Sequence, residues 1–512
     1  MNYRIRLQVV LLLVLSLIAV SCAPCRTAES TPSTIGITIL HVNDLHGHIL
    51  PYIDKVIDPT VPVGDAACLA AMIDEERERN PLGTILLSAG DMSQGTPISN
   101  LFHGKPVIEI MNNLRFDAMT IGNHEFDWTL DVLEQMIGWA YFPFLSSNIL
   151  TKQGTFIPGV RPYIMVERKG LKIAVIGVTT VETAYTTKPG NVKGLTFLDP
   201  STVLPPLMKE VRDKGARIIV VLSHLGLNAD KELASKVPGI DVIVGGHSHT
   251  AVTDPVIVNE TIIVQAGCYD AYLGVLDLTI RKDMMRIVEA TKRNELRPVL
   301  SGQDQRRGRD ITVLIDRYND RITKEFSRIV GTTSIDLNIS RVEESNTGDL
   351  VCDAMRESTG AAIAFVNSGG LRIDIPKGAI TMEKIFELLP YDNVIITMRL
   401  SGRQIRNVLE QSARIGHGGM LQVSGIRMTF DMKQPEGSRV RDIQVGTSPL
   451  RDDEQYAVAI NDFLAAGGDN YVAFKEGTAV QYGDELRDAF VSYLEKHSPV
   501  SPLQEGRIHI VK

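Results

Sequence analysis

Positive charge is scarce in this chain. Lys and Arg total 53 against 61 Asp and Glu, a formal balance of −8, so there is no cationic footprint for tracking a nucleic-acid backbone. DNA and RNA polymers are therefore not expected partners. Cysteine is scarcer still, five in 512 residues, and no C-x-x-C pairs recur, which excludes a dense disulfide scaffold and a zinc ribbon. Cys25, Cys68, Cys268 and Cys352 are expected to stay unpaired. Beyond the N-terminus no apolar run is long enough to span a bilayer, residues 506–512 lack the hydrophobic tail of a glycolipid-anchor signal, and no tandem repeat is visible. What remains is an ordinary globular composition, 44% hydrophobic and 22% charged. At roughly 150 residues per domain the length suggests about three domains, which large α/β units commonly reduce to two.

The first residues address the chain to an exported compartment. Arg4 and Arg6 precede an apolar run from Val9 that ends at Ser21-Cys22, the layout of a secretory signal over 1–21. A small residue before Cys22 resembles a bacterial lipoprotein signal, in which Cys22 carries a lipid and is the sole link to a membrane. Ala19 stands where Leu is commoner, so ordinary signal-peptidase cleavage stays open. The polar stretch that follows makes 22–34 a tether, and the expected location is periplasmic or membrane-anchored.

From 35 onward short β-rich runs are each followed by a polar cluster, at 35–42, 85–87, 118–121, 173–178, 218–222, 242–244 and 262–264. Helical patterns at 66–79, 130–137 and 203–214 separate several of them, which predicts an α/β domain over 35–303 with strands buried between helical layers. A polar stretch near 303–309 marks the boundary, and 310–329 reads as an amphipathic helix with Ile311, Leu314, Ile315, Tyr318 and Ile322 on one face, giving a linker helix over 304–330. A second α/β domain over 331–512 has strands predicted at 362–366, 394–400 and 456–460 and helices at 348–358 and 402–412.

Chemistry concentrates at the predicted strand ends, where α/β sheets gather ligands. Asp44 and His46 are two apart, as are His247 and His249, so in extended backbone each pair lies on one side and can grip one ion. Asp91, Asn123 and His224 follow other strands beside Ala89-Gly90, Gly122 and Ser223. Imidazole and carboxylate suit Zn, Mn or Fe, and a carboxylate can bridge two ions. Any one D-x-H is commonly a turn or a satisfied surface pair. Five of the 11 His, however, sit just after predicted strands beside or near Gly, Asp or Asn. His41 and His48 flank the first cluster.

The ordered set D-x-H, GD, GNHE, H and GHxH resembles the calcineurin-like metallophosphoesterases. The resemblance implies a four-layer α/β/β/α sandwich holding two divalent ions. One would be held by Asp44, His46, Asp91 and His249, the other by Asp91, Asn123, His224 and His247, with Asp91 bridging. A hydroxide held between the ions would attack phosphorus in line. His124 and Asp127 match the family's catalytic pair, Asp127 orienting His124; taken alone, Asp127 would read equally well as a helix cap.

The second half carries Asn367-Ser368-Gly369-Gly370-Leu371-Arg372, Leu389-Pro390-Tyr391 and a run from Asn461 through Phe463 to Asp469. Together these resemble the C-terminal domain of 5'-nucleotidases. By that resemblance Tyr391 and Phe463 sandwich a nucleobase, Asp469 accepts from ribose hydroxyls, Arg341 and Arg372 pair with phosphate, and Asn367 and Gly370 line the pocket. Tyr391 stands where many relatives place Phe. The implied activity is phosphate release from nucleoside 5'-monophosphates, with nucleoside di- and triphosphates and UDP-sugars as further candidates. A 2',3'-cyclic-nucleotide phosphodiesterase/3'-nucleotidase or a nucleotide-sugar hydrolase would share the metals and the sandwich, and a non-catalytic nucleotide-binding protein would not need the His124/Asp127 pair. Because the metals and the sandwich lie on different domains, chemistry requires a cleft between them, with a hinge expected at 338–346.

Overall fold

The computed structural model describes residues 34–512 except 284–285, 303–307, 323–325 and 415–418. The signal and lipid site over 1–21 and Cys22, and the tether up to 33, lie outside the described residues.

Alternating aliphatic runs in the first half build two six-stranded sheets. In the first, Thr34–Val42, Thr84–Ser88, Ala118–Thr120 and Phe144–Leu145 run parallel in that order, and the antiparallel strands Tyr272–Arg281 and Arg286–Pro298 close one side. In the second, Leu171–Thr179, Ile218–His224, Val242–Gly245 and Thr261–Gln265 are parallel, flanked by antiparallel Tyr163–Arg168 and Val256–Val258. Both central strand sets are buried on two faces, which is why they read as unbroken aliphatic runs. Ile37, Ile39, Val175, Val220 and Val244 form the core between the sheets. Helices Ala66–Arg79, Lys105–Leu114 and Leu130–Trp139 cover the outer face of the first sheet, and Pro200–Asp213 and Leu227–Lys236 that of the second. The layers are therefore α/β/β/α, as expected.

The predicted helix over 310–329 is shorter in the structure. It runs Arg309–Asn319, after which the Arg321 and Ile322 N–H groups reach back only three residues, to Tyr318 and Asn319, and Ile329–Thr333 is already a strand paired with Gly378–Thr381. Beyond Asn319 the apolar face continues through Ile322 and Phe326, both buried in the first domain's core, and the Phe326 N–H again donates four residues back, to the Ile322 carbonyl at 3.2 Å. The helix itself packs on that core through Ile311, Leu314 and Ile315.

In the second domain a five-stranded sheet has Ile363–Asn367, Gln455–Asn461 and Val394–Ser401 at its centre. Helices Asn346–Thr359 and Leu486–His497 cover one face. Gly402–Ser412 and a four-stranded sheet including Ile426–Asp431 and Ile508–Val511 cover the other. Residues 338–346, the expected hinge, are tied down inside this domain. The Ile339 N–H donates to Asp374, the Ser345 N–H to Gln422, and the Asn338 N–H to Asn346. The chain instead passes between the domains in the segment after Phe326, the last residue of the first core, and before Val330, which belongs to the second.

Candidate active site between the domains

The ligand candidates occupy the C-terminal ends of parallel strands from both sheets, so a single rim collects Asp44 and His46, Asp91, Asn123, His224, and His247 and His249. Five of them hold left-handed backbone without being glycine: Asp44, His46, Asp91, His247 and His249 have φ of 51, 50, 54, 74 and 55°. Such conformations persist only where the surroundings impose them, and they cluster at functional sites. Two glycines make room. A Cβ on Gly122 would sit 2.8 Å from the His224 ring and clash with Asp91, and one on Gly246 would sit 2.6 Å from the Ala89 carbonyl.

Three groups of ligand atoms each lie within 4.8 Å of one another: Asp44, His46 and His249; His46, Asp91 and His124; Asp91, His224 and His247. His46 Nε2 is 3.1 Å from His249 Nε2, and His249 Nε2 is 3.5 Å from Asp44 Oδ1. His224 Nε2 is 2.9 Å from Asp91 Oδ2 and 3.3 Å from Asn123 Oδ1. The tautomers suit a metal. His46 Nδ1 donates to the Gln94 carbonyl at 2.9 Å and His224 Nδ1 to the Ala89 carbonyl at 2.6 Å, which turns each Nε2 toward the centre. Burial lowers the pKa of His46, His247 and His249, keeping their lone pairs free. Burial opposes charge on Asp91 and His224 as well, yet their mutual attraction prevails, holding Asp91 well below the carboxylate range and lifting His224 to about 10. The donor set, hard carboxylates with oriented imidazoles and one amide, fits a pair of divalent ions.

His124 lies over this centre, its Nε2 4.0 Å from Asp91 Oδ2 and its Nδ1 2.5 Å from Asp127 Oδ2. Burial opposes its charged form, but Asp127 and Asp91 outweigh that and raise its pKa. Asp127 does not start the following helix: Thr129 caps the N-terminus of Leu130–Trp139, whereas Asp127 closes the single turn His124–Phe126 and its Oδ1 accepts from the Thr187 hydroxyl at 2.8 Å.

Glu125 has no role that its motif reveals, and the structure supplies one. Its buried carboxylate accepts from the N–H groups of Asp91, Met92 and Gly122 at 3.0, 2.9 and 2.7 Å, clamping together the turns that carry Asp91 and Asn123. Glu125→Ala strands three buried donors at about 1–3 kcal/mol each. Thermal unfolding of the variant is expected to begin well below that of the parent chain; an unchanged melting curve would show that the clamp contributes nothing.

All seven substrate candidates line one cavity of about 600 Å³ that also opens onto Asp91, Asn123, His124, Asp127, His247 and His249. Asn367 Nδ2 donates to Asp469 Oδ2 at 2.9 Å, and Asn461 Nδ2 donates to Asn367 Oδ1 at 3.0 Å. The Phe463 ring lies flat against Gly468, where a Cβ would overlap it. Burial pushes Asp469 up to about 6, leaving it ionised at neutral pH. The domains meet here. Arg372 Nη2 is 3.3 Å from His46 Nε2, the Tyr391 ring lies 6.0 Å from the His124 ring at 23°, Asn100 donates to the Pro390 carbonyl at 2.9 Å, and Lys188 pairs with Asp462 at 2.7 Å.

Residues 37–251 match the calcineurin-like phosphoesterase family and 327–476 the C-terminal domain of 5'-nucleotidases. Human 5'-nucleotidase is 31% identical across 92% of this chain and 90% of that protein. The chain belongs to the 5'-nucleotidase family. It is also similar to the trifunctional nucleotide phosphoesterase YfkN of Bacillus subtilis, 32% identical over 92% of this chain, although it spans only 35% of that longer protein. A 5'-nucleotidase precursor from Thermus thermophilus shares the whole two-domain architecture, with a TM-score of 0.87 at 31% identity over 93% of this chain and 99% of that one. As a 5'-nucleotidase family member the chain is a phosphate-monoester hydrolase of the divalent-metal class, built to act on nucleotides. Cys268 and Cys352 are in no disulfide, Cys25 lies outside the described residues, and no helix among the described residues is long and apolar enough to cross a membrane.

Proposed function

We propose that this enzyme is exported and removes phosphate from nucleoside 5'-monophosphates, with nucleoside di- and triphosphates and UDP-sugars as secondary substrates. The observation that carries the reading is the shared cavity, in which Arg372 of one domain reaches the metal-ligand candidate His46 of the other at 3.3 Å. Asp44, His46, Asp91 and His249 would hold one divalent ion, Zn or Mn, and Asp91, Asn123, His224 and His247 a second. Bound there, the ions supply an activated water and spread the charge that builds on the phosphoryl oxygens. The remaining work falls to the chain. His124, oriented by Asp127, whose carboxylate also favours its charged form, presents Nε2 to the phosphoryl group and its leaving oxygen. Arg341 and Arg372 grip phosphate, and Gly370 lets backbone approach it. Tyr391 and Phe463 hold the base between their rings while Asp469, steadied by Asn367, accepts from the ribose hydroxyls. Export rests on Arg4, Arg6 and the apolar run after them, ending either in lipid attachment at Cys22 or in ordinary signal-peptidase cleavage.

Phe463→Ala tests the substrate assignment. Loss of one stacking face is worth about 1–3 kcal/mol, so kcat/KM for AMP should fall about ten- to a hundredfold. Turnover of p-nitrophenyl phosphate, which has no base, should hold. Equal losses on both substrates would contradict the assignment.

A further inference from the structure

One short segment of the first domain, residues 183–191, joins the catalytic pair to the second domain. The buried Thr187 hydroxyl donates to Asp127 Oδ1 at 2.8 Å, and the other oxygen of that carboxylate holds His124 Nδ1. Asn191 secures the same turn by donating to the carbonyls of Phe126 and Asp127, each at 2.8 Å. Between these two anchors, Lys188 reaches across the cleft and pairs with Asp462 Oδ2 at 2.7 Å. Asp462 is itself fixed. Its Oδ1 accepts from the Val394 N–H at 3.3 Å, and it opens the helical turn Asp462–Ala465 that carries Phe463. Upstream, Thr183–Thr186 lies against the turn Gly468–Asn470, which carries Asp469. The segment therefore touches the support of His124 on one side and the turns of Phe463 and Asp469 on the other, and Thr186, Thr187 and Lys188 line the cavity between them.

We propose that Thr187 is a positioning residue for the His124–Asp127 pair, and that the Lys188–Asp462 ion pair couples its alignment to the seating of the second domain. A carboxylate that accepts through one oxygen from a fixed hydroxyl turns less freely, so the imidazole bonded to its other oxygen is held in one direction. Thr187 and Lys188 share a planar peptide unit. Where the second domain draws Lys188 toward Asp462, the backbone that aims the Thr187 hydroxyl is drawn with it. The lysine side chain is 47% exposed, so the ion pair adds little stability of its own and its contribution lies in geometry. Breaking it frees the segment at its middle and loosens Thr187, and through it Asp127 and His124, without touching any metal-ligand candidate. The catalytic pair is thus fully aligned only when the domain that carries the nucleoside pocket is docked, which ties chemistry to a seated substrate. This inference rests on the reading of His124 and Asp127 as the catalytic pair.

A double-mutant cycle on the metal-loaded full chain, read by steady-state kinetics and metal analysis, tests the coupling. Thr187→Val keeps the side-chain outline and removes the donor. It should lower kcat about tenfold on AMP and on p-nitrophenyl phosphate alike, as loss of a hydrogen bond to a charged group does, while KM for p-nitrophenyl phosphate and metal content hold. Thr187→Ser, which keeps the hydroxyl, should retain most of the rate. Lys188→Met, at a half-exposed position where folding is not at stake, should lower kcat for AMP about threefold, the size of an exposed ion pair. In the Thr187→Val background it should lower kcat no further. Additive losses, unchanged kcat in either single variant, a loss confined to KM, or a Thr187→Ser variant as slow as Thr187→Val overturns the proposal, as does loss of metal in parallel with activity. His124→Ala separates the proposal from the reading beneath it. If that variant turns over AMP at the parent rate, the catalytic pair fails and the coupling with it, whereas a slow His124→Ala beside a fully active Thr187→Val overturns the coupling alone.

Discussion

Replacing His124 with alanine is expected to lower AMP turnover by about 10²-fold or more while the chain still binds close to two metal ions. The geometry separates the two functions. His124 contacts the metal-ligand set through the bridging candidate Asp91, with its Nε2 4.0 Å from the carboxylate, whereas its Nδ1 is bound to Asp127 and its ring faces Tyr391 across the cavity. The imidazole is therefore placed to serve the phosphoryl group, and each ion keeps four other candidate ligands. The Thr187 hydroxyl and two donations from Asn191 to the carbonyls of Phe126 and Asp127 fix the turn beneath it, so the truncated variant should fold. Metal analysis alongside steady-state kinetics checks this. A wild-type rate would refute the role, and loss of metal in parallel with activity would make His124 a ligand instead.

The second large effect concerns Asp91. This carboxylate belongs to two of the three ligand groups, and its Oδ1 accepts from the His124 N–H at 2.8 Å. Asp91→Asn preserves shape and tolerates the left-handed φ of 54°, since asparagine adopts that region readily, but it removes the negative charge shared by both ions. Metal content should fall well below two ions per chain, and turnover should drop by about 10³-fold, because metal-ion catalysis supplies several kcal/mol of transition-state stabilisation. The His224 imidazole, held near pKa 10 largely by Asp91, would lose that support. Full metal occupancy in the variant would remove Asp91 from the bridging position.

Much of this site is legible in the sequence because each ligand turn is a local device. A strand end, a glycine and a D-x-H or H-x-H leave a short, recognisable string, and the long parallel strands announce themselves by unbroken aliphatic runs. What escapes the sequence depends on distant partners. Glu125 sits inside the GNHE motif, yet its work is visible only once the N–H groups of Asp91, Met92 and Gly122 converge on it. The edge strand Arg286–Pro298 escapes notice because its sequence lacks an aliphatic run, and the helix after Arg309 reads as unbroken because the apolar spacing carries on through Ile322 and Phe326 past its end at Asn319. The crossing point between domains is hidden for a related reason: hydrogen bonds from 338–346 to Asp374 and Gln422 have no sequence signature.

The most direct test of the account is phosphate release by the mature chain on AMP, ADP, UDP-glucose, 2',3'-cyclic AMP and p-nitrophenyl phosphate, with Mn or Zn added and with chelator. Two divalent ions facing a base-and-ribose pocket across one cavity predict fast release from AMP that chelator abolishes and either metal restores. Release confined to the cyclic or sugar nucleotide, or chelator-insensitive release from AMP, would contradict it.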